Sequence, residues 1–424
     1  MDVTQYNKSV LSNGIRVVSE NIPYVRSVAM GIWVGAGSRF ENEEYSGISH
    51  FLEHLFFKGT EKRSAKDIAE SLDAVGGQLN AFTTKEYTCY YAKVLDEHFD
   101  LALDVLADMF YNSKFLEKDI VKEREVIIEE IKMYEDTPDE LIHDVFSQTI
   151  WQGHPLGRPV LGTEETISKF TRNDFLKFIQ NHYVPENIVI AVAGKFEHAK
   201  LLEALENLFG KSRTGPVEKC PFPPHNHSQV QNFYRDIGQV QICLGSPGLP
   251  QDHPQIYPLY ILNSVLGGGL SSRLVQEVRE ERGLAYSVYS YHSSFSDAGL
   301  FTFYAGTRPD NYEQVIKLIF KEAFSISADG IAENELKKAK EQLKGNLYLG
   351  LESVGSRMTR LGRSELSLNR LITPEEVAKN IDEVSLGQVK ELASRIFNPE
   401  KFTITTIGPI KNIKEKEFFM NGDK

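Results

Sequence analysis

This sequence predicts an α+β fold in two duplicated domains, and three features lead there. The chain is 424 residues long, past the roughly 250 to 300 residues at which single hydrophobic cores stop growing. Strand-like segments are followed by runs of helices rather than alternating with them one by one, which favours α+β over a doubly wound sheet. The two halves also share their punctuation. A helix cap, a Pro-Glu pair and a closing glycine stand at Thr171, Pro185-Glu186 and Gly194, and again 214 residues on at Ser385, Pro399-Glu400 and Gly408.

A common register for three separate marks is better explained by gene duplication than by chance. In the first copy NDFLKFIQNHY reads as a helix and Asn187 to Ala193 as an apolar strand; GQVKELASRIF and FTITTI repeat that pair in the second. Ser or Thr before a helix and Pro just after it are its ordinary stops. Elsewhere in the first half VRSVAMGIWV and EYTCYYAKV alternate like half-buried strands, and residues 96–111, 117–135 and 138–150 have helical spacing. Composition shifts once, in GKSRTGPVEKCPFPPHNHSQV, where hydrophobic periodicity is lost. Domains are therefore expected at 1–212 and 233–424, joined by a linker at 213–232. Cys220, His225 and His227 in that stretch lack a fourth ligand and are set aside as a metal site.

With 41% hydrophobic and 25% charged residues the composition is that of a packed globular chain. The formal charge of −12 argues against nucleic acid and anionic membrane surfaces as main partners. Cys89, Cys220 and Cys243 are odd in number and widely spaced, so no disulfide framework is indicated and a reducing compartment is the default. No stretch reaches the roughly 20 apolar residues that cross a bilayer. The opening MDVTQYNKSVLSNGIRVVSE has neither leader nor transit character, so a cytoplasmic location is expected.

SGISHFLEHLFFKGT, Ser46 to Thr60, reads as a helix opened by Ser46 and stopped at Gly59. His50 and His54, four apart, leave one face a turn apart and can meet one ion. Glu53 shares that face. Two neutral imidazoles with a nearby carboxylate that is not itself a ligand are what a hydrolytic zinc site needs. A surface helix carrying two histidines has the same local pattern, so a third ligand is required. EKDIVKEREVIIEEIKMYE, Glu117 to Glu135, offers several carboxylates; Glu123 and Glu130 are seven apart on one face, and spacing alone does not choose between them.

HFLEHLFFKGT, followed 76 residues after its second histidine by the Glu of EREVIIEE, resembles the pitrilysin/insulinase family of inverted zinc peptidases. GHPLGRPVLG, at 153–162, points within it to bacterial relatives of the mitochondrial processing peptidase β subunit. The resemblance implies a zinc endopeptidase with His50, His54 and Glu130 as ligands to one zinc ion per subunit, Glu53 as general base and Glu123 as a supporting carboxylate. It likens Gly77 to Thr84 to a substrate-binding edge strand on which Asn80 and Ala81 pair with an extended peptide. Arg279 and Tyr286, in REERGLAY, match a pair that holds substrate and meets the developing oxyanion. Phe57 falls where an aromatic contacts the residue after the cut, and Glu140 and Asp144 where acids receive an arginine just before it.

Residues 117–140 carry ten acidic groups against four basic ones, which would draw a cationic peptide whatever the family. Family members enclose substrate between two repeated halves of about double this length. The resemblance thus implies a half-clamshell and, since both the zinc motif and the Arg/Tyr pair are present, a homodimer acting on peptide substrates. A non-catalytic assembly subunit and the catalytic half of a heterodimer are the alternatives. Loss of a ligand or base would mark the first, and none is missing.

Overall fold

In the computed structural model, which describes residues 5–210 and 222–411, eleven strands form two sheets on one plan. β1 (Gln5–Val10), β2 (Arg16–Asn21), β3 (Ser27–Val34), β4 (Gln78–Thr83), β5 (Thr88–Leu95) and β6 (Ile188–Gly194) lie in the order β1-β2-β6-β3-β5-β4. β7 (Val230–Tyr234), β8 (Val240–Pro247), β9 (Ala285–Ser294), β10 (Gly299–Thr307) and β11 (Thr403–Gly408) lie in the order β7-β11-β8-β10-β9. β6 runs parallel to β2 and antiparallel to β3, and β11 parallel to β7 and antiparallel to β8. The strand that ends each repeat thus inserts at the same place, so the duplication legible in the punctuation extends to topology.

The first half adds helices α1 (Ile48–Phe56), α2 (Ala65–Asp73), α3 (Phe99–Asn112), α4 (Glu117–Glu135), α5 (Pro138–Ile150), α6 (Glu164–Ile167), α7 (Arg172–His182) and α8 (His198–Phe209). The second adds α9 (Ile256–Leu266), α10 (Tyr312–Asp329), α11 (Glu333–Gly350), α12 (Val354–Leu368), α13 (Pro374–Asp382) and α14 (Leu386–Ile396). The repeated helices α7 and α14 both open on capping boxes, Thr171 with Asp174 and Ser385 with Gln388. Each box satisfies two backbone N–H groups that the first helical turn leaves without partners.

The fold is α+β in two compact units, and neither unit is one continuous stretch. One holds the chain up to Lys132, the stretch beginning at Arg158 and Leu349–Ile372; the other holds Met133–Gly157, the stretch from Phe222 to Tyr348 and the chain from Thr373 on. Each sheet is thereby covered on its second face by a helix from the other half of the sequence. On α12 the residues Val354, Met358 and Leu361 form a stripe that packs on Val18, Ala29, Trp33, Val189, Ala191 and Ala193. On α5 the stripe is Ile142, Val145, Phe146 and Ile150, set against Cys243, Leu300, Tyr304 and Ile407.

This corrects one expectation. β3 is buried along nearly its whole length rather than on alternate residues, because Met30 and Ile32 face the main core while Ala29 and Trp33 face α12. The linker expected over 213–232 lies outside the described residues through position 221, Cys220 included, and Val230 already begins β7.

Candidate metal centre

The helix that carries both histidines starts one residue later than its sequence suggests, and its cap comes from elsewhere. Ser46 makes no side-chain cap; Gly47 is the N-cap, at φ +94, and the buried carboxylate of Glu41 accepts hydrogen bonds from the N–H groups of Gly47 and Ser49, both at 2.8 Å. A carboxylate so placed also complements the positive end of the helix dipole. Burial raises the Glu41 carboxyl above its usual range, against the pull of those backbone N–H groups and of Arg158. A Cβ on Gly47 would come within 2.7 Å of the Leu161 carbonyl and 2.8 Å of the Gly162 Cα, so the loop after Arg158 fixes where α1 begins.

From this start, α1 places the His50 and His54 rings 4.7 Å apart, centroid to centroid. Glu130, on α4, brings one carboxylate oxygen to 3.8 Å from His50 Nε2 and the other to 3.6 Å from His54 Nε2. Among the described residues these three form the one group of His, Cys, Asp or Glu whose donor atoms, all within 4.8 Å of one another, could share an ion. Donors around a tetrahedral zinc stand roughly 3.4 Å apart, given metal–ligand bonds near 2.1 Å, so the three side chains need move only slightly to hold one. Burial, with His54 adding to it, pushes the His50 imidazole down to about 3, which keeps it in the neutral form that binds metals.

Glu123 does something different from Glu130. Its Oε2 is 3.3 Å from Nδ1 of His54, on the side of the ring away from the cluster, and its Oε1 is 2.7 Å from Nζ of Lys58. Burial works against the Glu123 carboxylate, but hydrogen bonds from His54 and Lys58 outweigh it and hold the carboxyl below its usual range. Glu53, one residue before His54, accepts a 2.5 Å hydrogen bond from the Thr83 hydroxyl on β4. Burial raises the Glu53 carboxyl; the Thr83 hydrogen bond and His54 oppose that, and Glu130 adds to it. Sequence reasoning missed Thr83, Lys58 and Glu41. Lys58 carried a signal, being the third residue in the four-residue spacing His50, His54, Lys58.

β4, which bears Asn80 and Ala81, is one of the two edge strands of its sheet and, among the described residues, pairs only with β5. The Ala81 N–H donates to the Asn80 side-chain oxygen at 2.8 Å. Phe57 caps the C-terminal end of α1 and packs, half-buried, against the main core. The other named residues belong to the second unit. There Arg279 lies over the Tyr286 ring, its guanidinium carbon 4.9 Å from the centroid, and Tyr286 is 82% exposed. Glu140 and Asp144 sit one turn apart on α5. The Glu140 carbonyl accepts a 3.0 Å hydrogen bond from the Tyr134 hydroxyl, and burial, with Asp144 beside it adding to the effect, raises that phenol.

A face of two imidazoles met by a carboxylate from a second helix, on duplicated α+β units, is compatible with a metal-dependent hydrolase, and comparison with known proteins points to the zinc proteases. Residues 16–164 match the insulinase family, peptidase family M16, and residues 169–343 match the peptidase M16 inactive domain. The chain belongs to peptidase family M16. It is 48% identical over 405 residues to the uncharacterized zinc protease YmxG of Bacillus subtilis, covering 95% of this chain and 98% of that one. It is 42% identical over 413 residues to the uncharacterized zinc protease SCO5738 of Streptomyces coelicolor, covering 96% and 90%. A protease structure from Helicobacter pylori has the same fold, with a TM-score of 0.90 at 24% identity, over 96% of this chain and 100% of that one. No helix among the described residues is long and apolar enough to cross a membrane.

Proposed function

We propose that this chain is a zinc-dependent endopeptidase that cuts extended, basic peptides and works as a homodimer. The observation that carries the reading is the Glu130 carboxylate facing the Nε2 atoms of both His50 and His54, at 3.8 and 3.6 Å. A zinc ion held by those three side chains would supply a Lewis acid that polarises the scissile carbonyl and acidifies water.

Glu53 takes the proton of the attacking water and returns it to the leaving nitrogen, while the Thr83 hydroxyl donates to its Oε2. The open edge of β4, with Asn80 and Ala81, aligns the peptide through main-chain hydrogen bonds that ask little of its sequence. Tyr286 and Arg279 from the second copy of the chain complete the site: the phenol donates to the oxyanion and the guanidinium holds substrate. The high exposure of Tyr286 suits a residue whose target lies on another molecule. Glu140 and Asp144 receive an arginine before the cut, Phe57 packs the residue after it, and the net charge of −12 favours cationic peptides.

Zinc content and cleavage of a peptide library, measured together on the purified chain, test this. Glu53→Gln should keep the metal and lose activity by a factor of about 10² to 10⁴. Wild-type protein without zinc, or a Glu53→Gln variant that cleaves normally, would end the proposal. Mixing Glu53→Gln with Tyr286→Phe subunits should restore one intact site per heterodimer, and no recovery would count against shared sites. Cleavage sites without arginine enrichment would remove the roles given to Glu140 and Asp144.

A further inference from the structure

Lys58 stands just after Phe57, the C-terminal cap of α1, its N–H donating to the Leu55 carbonyl at 3.1 Å, and its ammonium lies 2.7 Å from one oxygen of Glu123. The other oxygen of that carboxylate is 3.3 Å from Nδ1 of His54. Ion pairs between exposed side chains on a protein surface do little. This one differs, because the Glu123 side chain is 3% exposed and the carboxylate has one partner per oxygen. Rotating it would break both contacts at once, and removing the ammonium would leave a buried carboxylate without its countercharge.

We propose that Lys58 is a positioning residue of the metal centre: by holding Glu123 Oε1 it keeps Oε2 on His54 Nδ1, and so fixes the direction in which His54 Nε2 faces Glu130. Carboxylates that hold the far nitrogen of a ligating histidine orient the ring and raise its basicity. Lys58 extends that chain of contacts by one residue, to a side chain that itself touches neither metal nor substrate. The inference rests on the metal site proposed above.

The test is the zinc dissociation constant of the full-length protein, read by competition with a chromophoric chelator and independent of peptide cleavage. Lys58→Met should weaken zinc binding by about tenfold, the low end of what losing such a partner costs. Lys58→Arg, which keeps the charge and a donor, should restore most of the affinity. In a Glu123→Gln background Lys58→Met should have no further effect, since the carboxylate it positions is gone.

Melting curves of the metal-free variants separate a local effect from a folding defect: Lys58→Met should melt lower than wild type, since it leaves the buried Glu123 carboxylate without its countercharge, yet stay folded under the binding conditions, and Lys58→Arg should melt close to wild type. Wild-type affinity in Lys58→Met, an equal loss in the Glu123→Gln background, or no rescue by arginine would each overturn the proposal. Wild-type protein that binds no zinc at all would instead remove the metal site on which it stands.

Discussion

The two units share a sheet order, a capping scheme and a helix drawn from the other half of the sequence, yet a three-ligand cluster exists only in the first among the described residues. Between β3 and β4 stands α1, with His50, Glu53 and His54. Between β8 and β9 stands α9, whose sequence IYPLYILNSVL has neither histidine nor acid. A duplicated scaffold therefore carries a candidate metal cluster in one copy and, among the described residues, none in the other, because such a cluster is a matter of a few side chains on two helices.

The helices that cover the second faces differ as well. α12 is bolted to its sheet by buried ion pairs. Arg357 meets Glu20, which is 1% exposed at its side chain, and Glu365, fully buried, meets Lys8 at 2.9 Å and Arg16 at 3.3 Å. On α5 the polar fastening is His143, with Nδ1 2.7 Å from the Tyr291 hydroxyl and Nε2 3.2 Å from that of Tyr289.

Breaking one bolt should separate the units experimentally. Arg357→Met takes from buried Glu20 its ion-pair partner, leaving it the Tyr6 hydroxyl and the charge of Arg360, and should destabilise the first unit by about 3 kcal/mol, the low end of the cost of breaking a buried pair. Amide hydrogen exchange should quicken in α12 and the first sheet and stay unchanged in the second; equal effects in both would erase the distinction. Removing zinc should act on the same unit more mildly, by about 2.7 kcal/mol when free metal had stood at a hundredfold its dissociation constant. A denaturant transition that does not shift on chelation would contradict that.

Gly362→Ala should destabilise the first unit by about 1 to 3 kcal/mol, because the added methyl lands on the buried Trp33 indole. That outweighs the roughly 1 kcal/mol that alanine gains over glycine in a helix. An unchanged midpoint in urea would mean that α12 shifts freely on its sheet.

The smallest expected effect concerns pH and falls on the second unit. Burial lowers the His143 imidazole below its ordinary 6.5, against Asp144 and Asp139, so the folded state prefers it neutral. Acidification through 6.5 then protonates the unfolded chain first, and this contribution to stability falls as the pH drops toward the depressed folded value. Comparing melting of wild type and His143→Leu at pH 7.5 and 5.5 should show a smaller pH effect in the variant.

Much of this was legible in residue order. The spans 117–135 and 138–150 are the helices α4 and α5 to the residue, because Pro138 and the acidic starts punctuate them clearly. The cap of α1 was not legible, since Glu41 reaches it from outside the helix across a 3₁₀ turn and displaces the nearer Ser46. Nor was the full burial of β3, since alternating polarity cannot announce a helix arriving from more than 300 residues away in the chain.

The sequence by itself determined that His50, Glu53 and His54 share one face, because a helix with 3.6 residues per turn permits nothing else at that spacing. It also determined the repeat, whose caps and prolines act locally. Only the tertiary structure decided that Glu130 faces both imidazoles while Glu123 turns to the back of His54 and to Lys58. Two glutamates two turns apart are equivalent to their own helix, and a neighbouring helix distinguishes them by where it crosses. The same holds for α12, whose apolar stripe states that one face must be covered and leaves the choice of sheet to the packing of the whole chain.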